Sequence, residues 1–315
     1  MNCRICNKEQ VNYKNYIVKE KMLASLDEFE YFECNFCGCL QIKYIPNNIN
    51  RYYESYYTKN KKIQPISKFR KYLWGIRRIG YLSIFHKLFK LISPNSILEW
   101  CKVANIKKNK KVLDVGCGNG DILYEFSKHG FNNLYGTDPL LPEETINRDN
   151  INYYKGNFKN LNWGSFDFIM MNHSFEHIEE PNQILEGVVK ILKKDAILML
   201  RIPIKNKAFE TYKENWYQLD APRHFYLHTP KSVHLLAKKY NLKLLKTIYD
   251  STFMQFIGSI EYSKNIYYNS PEAFRNNPSK SIFDENEIEK YKKLANSYNK
   301  KKLGDQAAYF FKIDN

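Results

Sequence analysis

A chain of 315 residues, 43% hydrophobic and 16% aromatic, can bury a large core with appendages, which excludes a disordered chain. It has no apolar run long enough to span a membrane, and Met1 leads straight into polar residues, so neither a transmembrane helix nor a secretory leader is expected. The balance of 49 basic against 33 acidic residues invites a nucleic-acid reading, but the cations are mostly lysine and scattered, whereas a phosphate-binding face concentrates them.

Residues 1–46 lack regular periodicity and hold five of the seven cysteines, a usage that fits metal binding in a reducing, cytoplasmic setting better than disulfides. Cys3 and Cys6, then Cys34 and Cys37, form two C-x2-C pairs. Each pair presents two thiolates on a tight turn, and two pairs complete the tetrahedron that zinc prefers. The 27-residue gap between the pairs has room for a hairpin, and Cys39 is a spare sulfur that could replace Cys37. A closed four-sulfur site stabilises a fold rather than activating water, so this zinc reads as structural.

Residues 47–110 read as a helical connector. It starts polar and tyrosine-rich (47–62), and from Lys68 to Ile92 carries Phe69, Leu73, Ile76, Leu82, Phe85, Leu88, Phe89 and Ile92 at helical spacing between basic residues. A buried helix with solvated lysines is the favoured reading of that stretch. Peripheral contact with a membrane surface is the alternative. Ser93-Pro94-Asn95 breaks the pattern, and Ile97 to Asn105 resumes a helix holding Cys101 in its core.

From Lys111 the rhythm becomes strand, turn, helix, repeated. Strands are expected at VLDVG, Asn133 to Thr137, Ile151 to Lys155, FDFIMMN from Phe166, AILMLRIP from Ala196, Leu242 to Tyr249 and Ala307 to Ile313. Helices fall at Asp121 to His129 and Gln183 to Leu192, and a helical insertion fills residues from about 250 to 306. Residues 111–315 therefore form an α/β domain: a doubly wound, seven-stranded, mostly parallel sheet.

Only 13 glycines occur in the chain, yet KVLDVGCGNGDIL places Gly116, Gly118 and Gly120 at alternate positions after a strand. In doubly wound sheets ligands bind at this first crossover, and bare backbone there suggests a close-lying ligand. A dinucleotide fingerprint would need a third glycine where Asp121 stands. Asp114 suits a cationic group instead. Asp138, 22 residues past Gly116 and followed by Pro139, ends the next strand, where a carboxylate can accept both hydroxyl hydrogens of a ribose. Together these features point to a nucleoside-type cofactor.

The G-x-G-x-G spacing after V-L-D resembles motif I of class I S-adenosylmethionine-dependent methyltransferases, and the resemblance extends from Lys111 to about Tyr249. It implies contacts to the cofactor from Asp114, Gly116, Cys117, Gly118, Asn119, Gly120, Asp138 and Pro139. Asn157 and Phe158 in YKGNF match the position that usually contacts adenine, with Asn where many relatives have Asp. FDFIMMNHSFEHIEEP matches the fourth-strand motif, adding Asn172, His173 and the pair Glu176-His177. In LKKDAILMLRIP the usual Gly-Gly is replaced by Asp195-Ala196. WYQLDAPRHFYLHTPKSVHLL matches a downstream segment with a Thr-Pro helix start. With the cysteines, the chain is similar to methyltransferases that carry an N-terminal zinc-binding segment and work in sugar and surface-glycan pathways.

Methyl transfer to a hydroxyl needs a proton acceptor, and histidine is the natural one. His224, His173 and His177 are the candidates, while His228 and His234 read as helix-cap and helix-face residues. The spacing of the histidines suggests no metal site. Trp216, Tyr217 and the insertion aromatics form either a stacking wall for a sugar ring or ordinary core. The leading function is methylation of a sugar or glycan-precursor hydroxyl. C-methylation of a keto-sugar, methylation of RNA and a non-catalytic cofactor-binding scaffold stay open beside it. Against RNA, the fourth strand ends in NHSF rather than in a base-amine motif.

Overall fold

The structure is a computed structural model that describes residues 1–53, 68–92, 95–142, 145–148, 151–156 and 164–314. It opens with three strands, β1 (Lys14–Lys19), β2 (Glu28–Glu33) and β3 (Leu40–Ile42). Three helices follow: α1 (Lys68–Leu82), α2 (His86–Ile92) and α3 (Ser96–Val103). Then come β4 (Val112–Val115), α4 (Asp121–Lys128), β5 (Leu134–Asp138), β6 (Thr145–Arg148), β7 (Ile151–Lys155) and β8 (Phe166–Asn172). After α5 (Pro181–Ile191), β9 (Leu192–Pro203) and α6 (Lys207–Tyr212), the short strand β10 (Tyr226–Leu227) precedes α7 (Pro230–Lys239) and β11 (Leu242–Tyr249). Helices α8 (Met254–Ser263) and α9 (Glu285–Lys300) lie in the insertion before β12 (Gln306–Ile313).

The main sheet runs β11-β12-β9-β8-β4-β5-β7-β6. Pairing is parallel from β7 through β5, β4 and β8 to β9, and antiparallel at both margins. Seven of these strands are the ones expected, and β6 is an eighth, paired antiparallel on β7. Side chains alternate across the sheet because successive residues of a strand face opposite ways. Phe168 and Met170 of β8, Ile197 and Met199 of β9, and Phe310 of β12 pack with Trp100, Leu123 and Phe126 under α3 and α4. Their neighbours Ile169, Met171, Leu198, Leu200 and Phe311 face α5 and α7. Strands buried on both faces read as continuous apolar runs, which is why FDFIMMN and AILMLRIP stood out.

The N-terminal segment packs against that second face, with Cys3, Ile5, Tyr31, Cys34 and Cys37 in one core with Leu198 and Val233. Its antiparallel sheet, β1-β2-β3-β10, is completed by the HFYLH stretch of the larger domain. The 27-residue gap between the cysteine pairs does hold a hairpin, β1 against β2.

On α1 the favoured sequence reading is corrected. Leu73, Ile76 and Ile79 are exposed, as are Phe85 and Leu88 in the α2 region. The inner face is formed instead by Trp74 against His129 and by Arg78, which donates to the His129 carbonyl. No described helix is long and apolar enough to cross a membrane.

Candidate active site

The four cysteines of the paired motif converge. Cys3 and Cys37 sulfurs lie 3.7 Å apart, Cys6 and Cys34 sulfurs 3.6 Å, and all four sulfurs fall within 4.8 Å of one another. A tetrahedron with Zn–S bonds of about 2.3 Å has edges of about 3.8 Å, the spacing at which the Cys3–Cys37 and Cys6–Cys34 sulfurs stand. Backbone N–H groups of Cys6 and Cys37 point at the Cys3 and Cys34 sulfurs, and Gln41 Nε2 donates to Cys3 at 2.9 Å, donors that stabilise thiolate charge. Cys39 is fully buried with its sulfur toward the Leu40 carbonyl and stands outside this set.

At the first crossover all three glycines have positive φ, a conformation that L side chains rarely adopt. A Cβ on Gly116 would collide with Ser174, and one on Gly120 with Tyr153. The expectation that a ligand demands all three is thereby corrected: protein packing already forbids side chains at two of them. Gly118 has a different task, donating its N–H to Asp138 Oδ2 at 2.9 Å. Asp138 Oδ1 accepts from Leu140 N at 2.8 Å, and each oxygen keeps a lone pair for a hydroxyl.

A cavity of about 460 Å³ opens here, lined by Gly116, Thr137, Asp138, Pro139, His173 and Ser174. Ile45, Ile49, Asn50 and Tyr53 of the N-terminal segment close one side. No motif marked these four: Ile49, Asn50 and Tyr53 belong to the polar, tyrosine-rich stretch 47–62, and Ile45 lies just before it. Of the other expected cofactor residues, Cys117 is buried with Leu123 in the core, its thiol held in the protonated form by burial. Gly118, Asn119 and Gly120 form the turn. Asn172 accepts from Arg201 at 3.0 Å. Asn157 and Phe158 lie outside the described residues.

Asp114 sits behind the turn, 2% exposed, with an Oδ1 that finds no hydrogen-bond partner among the described residues. Burial, with Asp138 nearby, raises its carboxyl from 3.8 to about 8. An unpartnered buried carboxyl oxygen suits a nearby positive charge; Asp114 stands behind Val115 and Gly116, which line the cavity, and does not line it itself. The pH consequences have a definite sign. Between about 4 and about 8 the folded chain holds this proton and the unfolded chain does not, so Asp114 lowers the stability of the free protein as pH rises through that window. Binding of a cation favours the ionised form, so affinity should climb with pH toward about 8, by up to about tenfold per unit, with proton release. Calorimetry in buffers of differing protonation enthalpy checks this, and Asp114→Asn should flatten the profile.

A second cavity, of about 290 Å³, meets the first at His173 and His177. Its walls carry Tyr217, Tyr262 and Tyr268 with Gln218, Gln255 and His224. Trp216 is not part of that wall: it is fully buried, donating to Asp305 at 2.9 Å. The sequence alternatives for these aromatics thus divide, Trp216 to the core and Tyr217 to the cavity.

The three candidate histidines surround one carboxylate. Glu176 is wholly buried, with His173 Nδ1 at 3.3 Å and His224 Nε2 at 3.9 Å from its Oε1. Burial opposes its charge, yet the contact from His173 holds it down to about 2. His173 adopts φ 51°, a strained conformation that costs about 1–3 kcal/mol and is kept mainly at functional sites. His177 Nδ1 lies 2.8 Å from the Arg223 carbonyl, and His224 Nδ1 lies 2.8 Å from the Gln218 carbonyl. A carbonyl can only accept, so both rings carry their proton on Nδ1 and present Nε2 as a lone pair. Burial lowers His177 to about 4, which keeps it neutral.

Beneath them lies Arg223, fully buried. Its guanidinium grips both Asp220 oxygens through Nε at 3.2 and 3.1 Å, reaches Glu20 Oε1 at 3.3 Å and donates to the Tyr52 carbonyl at 2.9 Å. Burial works against Asp220's charge, but Arg223 prevails and holds it to about 2. Glu20 comes from the N-terminal segment, as does Tyr31, whose hydroxyl donates to the His224 carbonyl at 2.9 Å. Contacts between residues about 200 positions apart left no local signal to read.

Strand order, a glycine turn after β4 and a carboxylate capping β5 define the class I methyltransferase fold. Residues 77–247, more than half of the chain, match a family described as a methyltransferase domain. The protein belongs to this family and is an S-adenosylmethionine-dependent methyltransferase. A ubiquinone biosynthesis O-methyltransferase of Rickettsia bellii is 25% identical over 201 residues, covering 61% of this chain and 80% of that protein. EEF1A lysine methyltransferase 2 of Danio rerio is 33% identical over 101 residues, 25% of this chain, and the match spans only 42% of that relative's length. Among solved structures, coclaurine N-methyltransferase aligns at 14% identity with a TM-score of 0.43, over 69% of this chain and 72% of that one.

Proposed function

We propose that the protein methylates a hydroxyl of a sugar or surface-glycan precursor seated in the second cavity. The observation that carries this reading is the junction of the two cavities at His173 and His177, beside a wall that mixes tyrosine rings with amide side chains. Sugars present apolar ring faces and a dense set of hydroxyls, and such a wall can stack on the one and bond the other. When bound, S-adenosylmethionine supplies a methyl group activated on a positively charged sulfur. Asp138 would hold the ribose hydroxyls, and Asp114, behind the turn, would lie near the charged amino-acid end.

His173 is the fitting base. It is partly exposed, touches both cavities, and has Glu176 near Nδ1, which leaves Nε2 for the acceptor's proton. His224 and His177 hold their own Nδ1 protons against carbonyls and flank the same carboxylate. The Cys3, Cys6, Cys34 and Cys37 set would hold a structural zinc. Stripping it with a strong chelator should lower the thermal midpoint by well over 10 °C, because metal binding and folding of such a module are coupled.

The test of the acceptor is label transfer from methyl-labelled donor into nucleotide-sugars, purified surface glycans and total RNA. Base-stable label in a sugar hydroxyl ether supports the proposal. Label on a sugar carbon would support the C-methyl alternative, and RNase-sensitive label the RNA one. No transfer with intact cofactor binding would favour a scaffold.

A further inference from the structure

We propose that Glu176, His177 and His224 bind a divalent transition-metal ion at the junction of the two cavities. The inference deepens the methyl-transfer reading and rests on a count of protons. The ligand atoms that these three residues offer lie within 4.8 Å of one another. Among the described residues, Glu176 Oε2 has no hydrogen-bond partner and Oε1 has only the 3.3 Å approach of His173 Nδ1, although the residue is fully buried. Both imidazoles spend their one proton on backbone carbonyls, so lone pairs rather than hydrogens are directed to the shared space.

An extra proton on His224 does not resolve this. Its Nε2 stands 3.9 Å from Glu176 Oε1 and 3.7 Å from Asp220 Oδ2, beyond hydrogen-bond reach of either. Those distances do suit ligands of a common ion, since bonds of about 2.1 Å place neighbouring ligands roughly 3–4 Å apart. Asp220 is held by Arg223, which leaves the set as two imidazoles and one carboxylate. That donor set favours zinc, iron or manganese over magnesium or calcium and leaves coordination positions open. The carbonyl bonds on Nδ1 are the outer contacts that metal-binding histidines usually make.

An open position facing the acceptor cavity gives the ion a task. It would coordinate the acceptor hydroxyl and lower its pKa, and the proton would pass from that oxygen to His173 Nε2, leaving the electron pair on oxygen. His173 is outside the ligand set and remains free to accept it.

The experiment is metal counting on full-length protein loaded with cobalt(II), followed by absorbance spectroscopy. Thiolate-bound cobalt gives an intense charge-transfer band, whereas a histidine-carboxylate site gives only weak visible bands. Wild type is expected to hold one ion more than Glu176→Gln and one more than His224→Ala, with the charge-transfer band unchanged in all three. That band, together with unaltered cofactor affinity by calorimetry, reports that the variants are folded and that the cofactor reading stands. Equal ion counts in wild type and both variants would overturn the proposal, as would loss of the thiolate band in place of the weak bands.

Discussion

Replacing Asp138 with alanine is expected to reduce affinity for S-adenosylmethionine by at least about a hundredfold. Two effects act in the same direction. The side chain's lone pairs are the ones available to the ribose, and hydrogen bonds to a charged group contribute about 1.5–3 kcal/mol each. The carboxylate also ties Gly118 N–H to Leu140 N–H, so its loss leaves both donors unsatisfied and loosens the glycine turn. Asp138→Asn separates the two effects. It keeps one acceptor and should retain part of the turn's order while losing charge. Isothermal calorimetry on the folded variants measures this, and an Asp138→Ala protein with wild-type affinity would mean that the ribose is bound elsewhere.

The second large effect is on stability. Arg223→Ala should destabilise the fold by about 3–5 kcal/mol, because it leaves the fully buried Glu20 and the part-buried Asp220 without a countercharge. Urea denaturation followed by tryptophan fluorescence would show the midpoint falling, with the slope unchanged if the denatured state is unaffected. The exposed pair Lys190 and Glu186 provides the contrast. Lys190→Ala should change stability by less than about 0.5 kcal/mol, since solvent screens that pair. If both variants behaved alike, the buried network would not be holding the N-terminal segment to the larger domain.

What was legible in the sequence follows from where the forces are local. Strands β4, β5, β7, β8, β9, β11 and β12 declare themselves through apolar runs and turn residues, and Thr229-Pro230 marks the start of α7 through its capping box. Strand β6 is four residues of TINR with no apolar run, and only its partner β7 makes it a strand. On α1 the helical period was readable, but which face is buried depends on neighbours far along the chain, and there Trp74 and Arg78 turned inward instead of Leu73 and Ile76. The glycines were read correctly as a special turn and incompletely as to cause, since Ser174 and Tyr153 crowd Gly116 and Gly120 from other strands.

The candidate site divides along the same line. Gly116, Asp138 and His173 lie where the crossover rule places them, around one cavity. Glu176, His177 and His224 were seen as parts of two separate motifs, and their convergence needs the β10 segment brought onto the end of β8 by the N-terminal sheet. The 46 residues between His177 and His224 hide this cluster from any rule of local spacing.

The central claim is that the cavity beside the glycine turn seats S-adenosylmethionine. A crystal of the full-length protein soaked with that compound tests it most directly. Density for an adenosine in the cavity, with its ribose hydroxyls on Asp138 and its sulfur toward His173, is the predicted result. A well-ordered crystal whose cavity stays free of the nucleoside, or is filled by the protein's own side chains, would contradict the account.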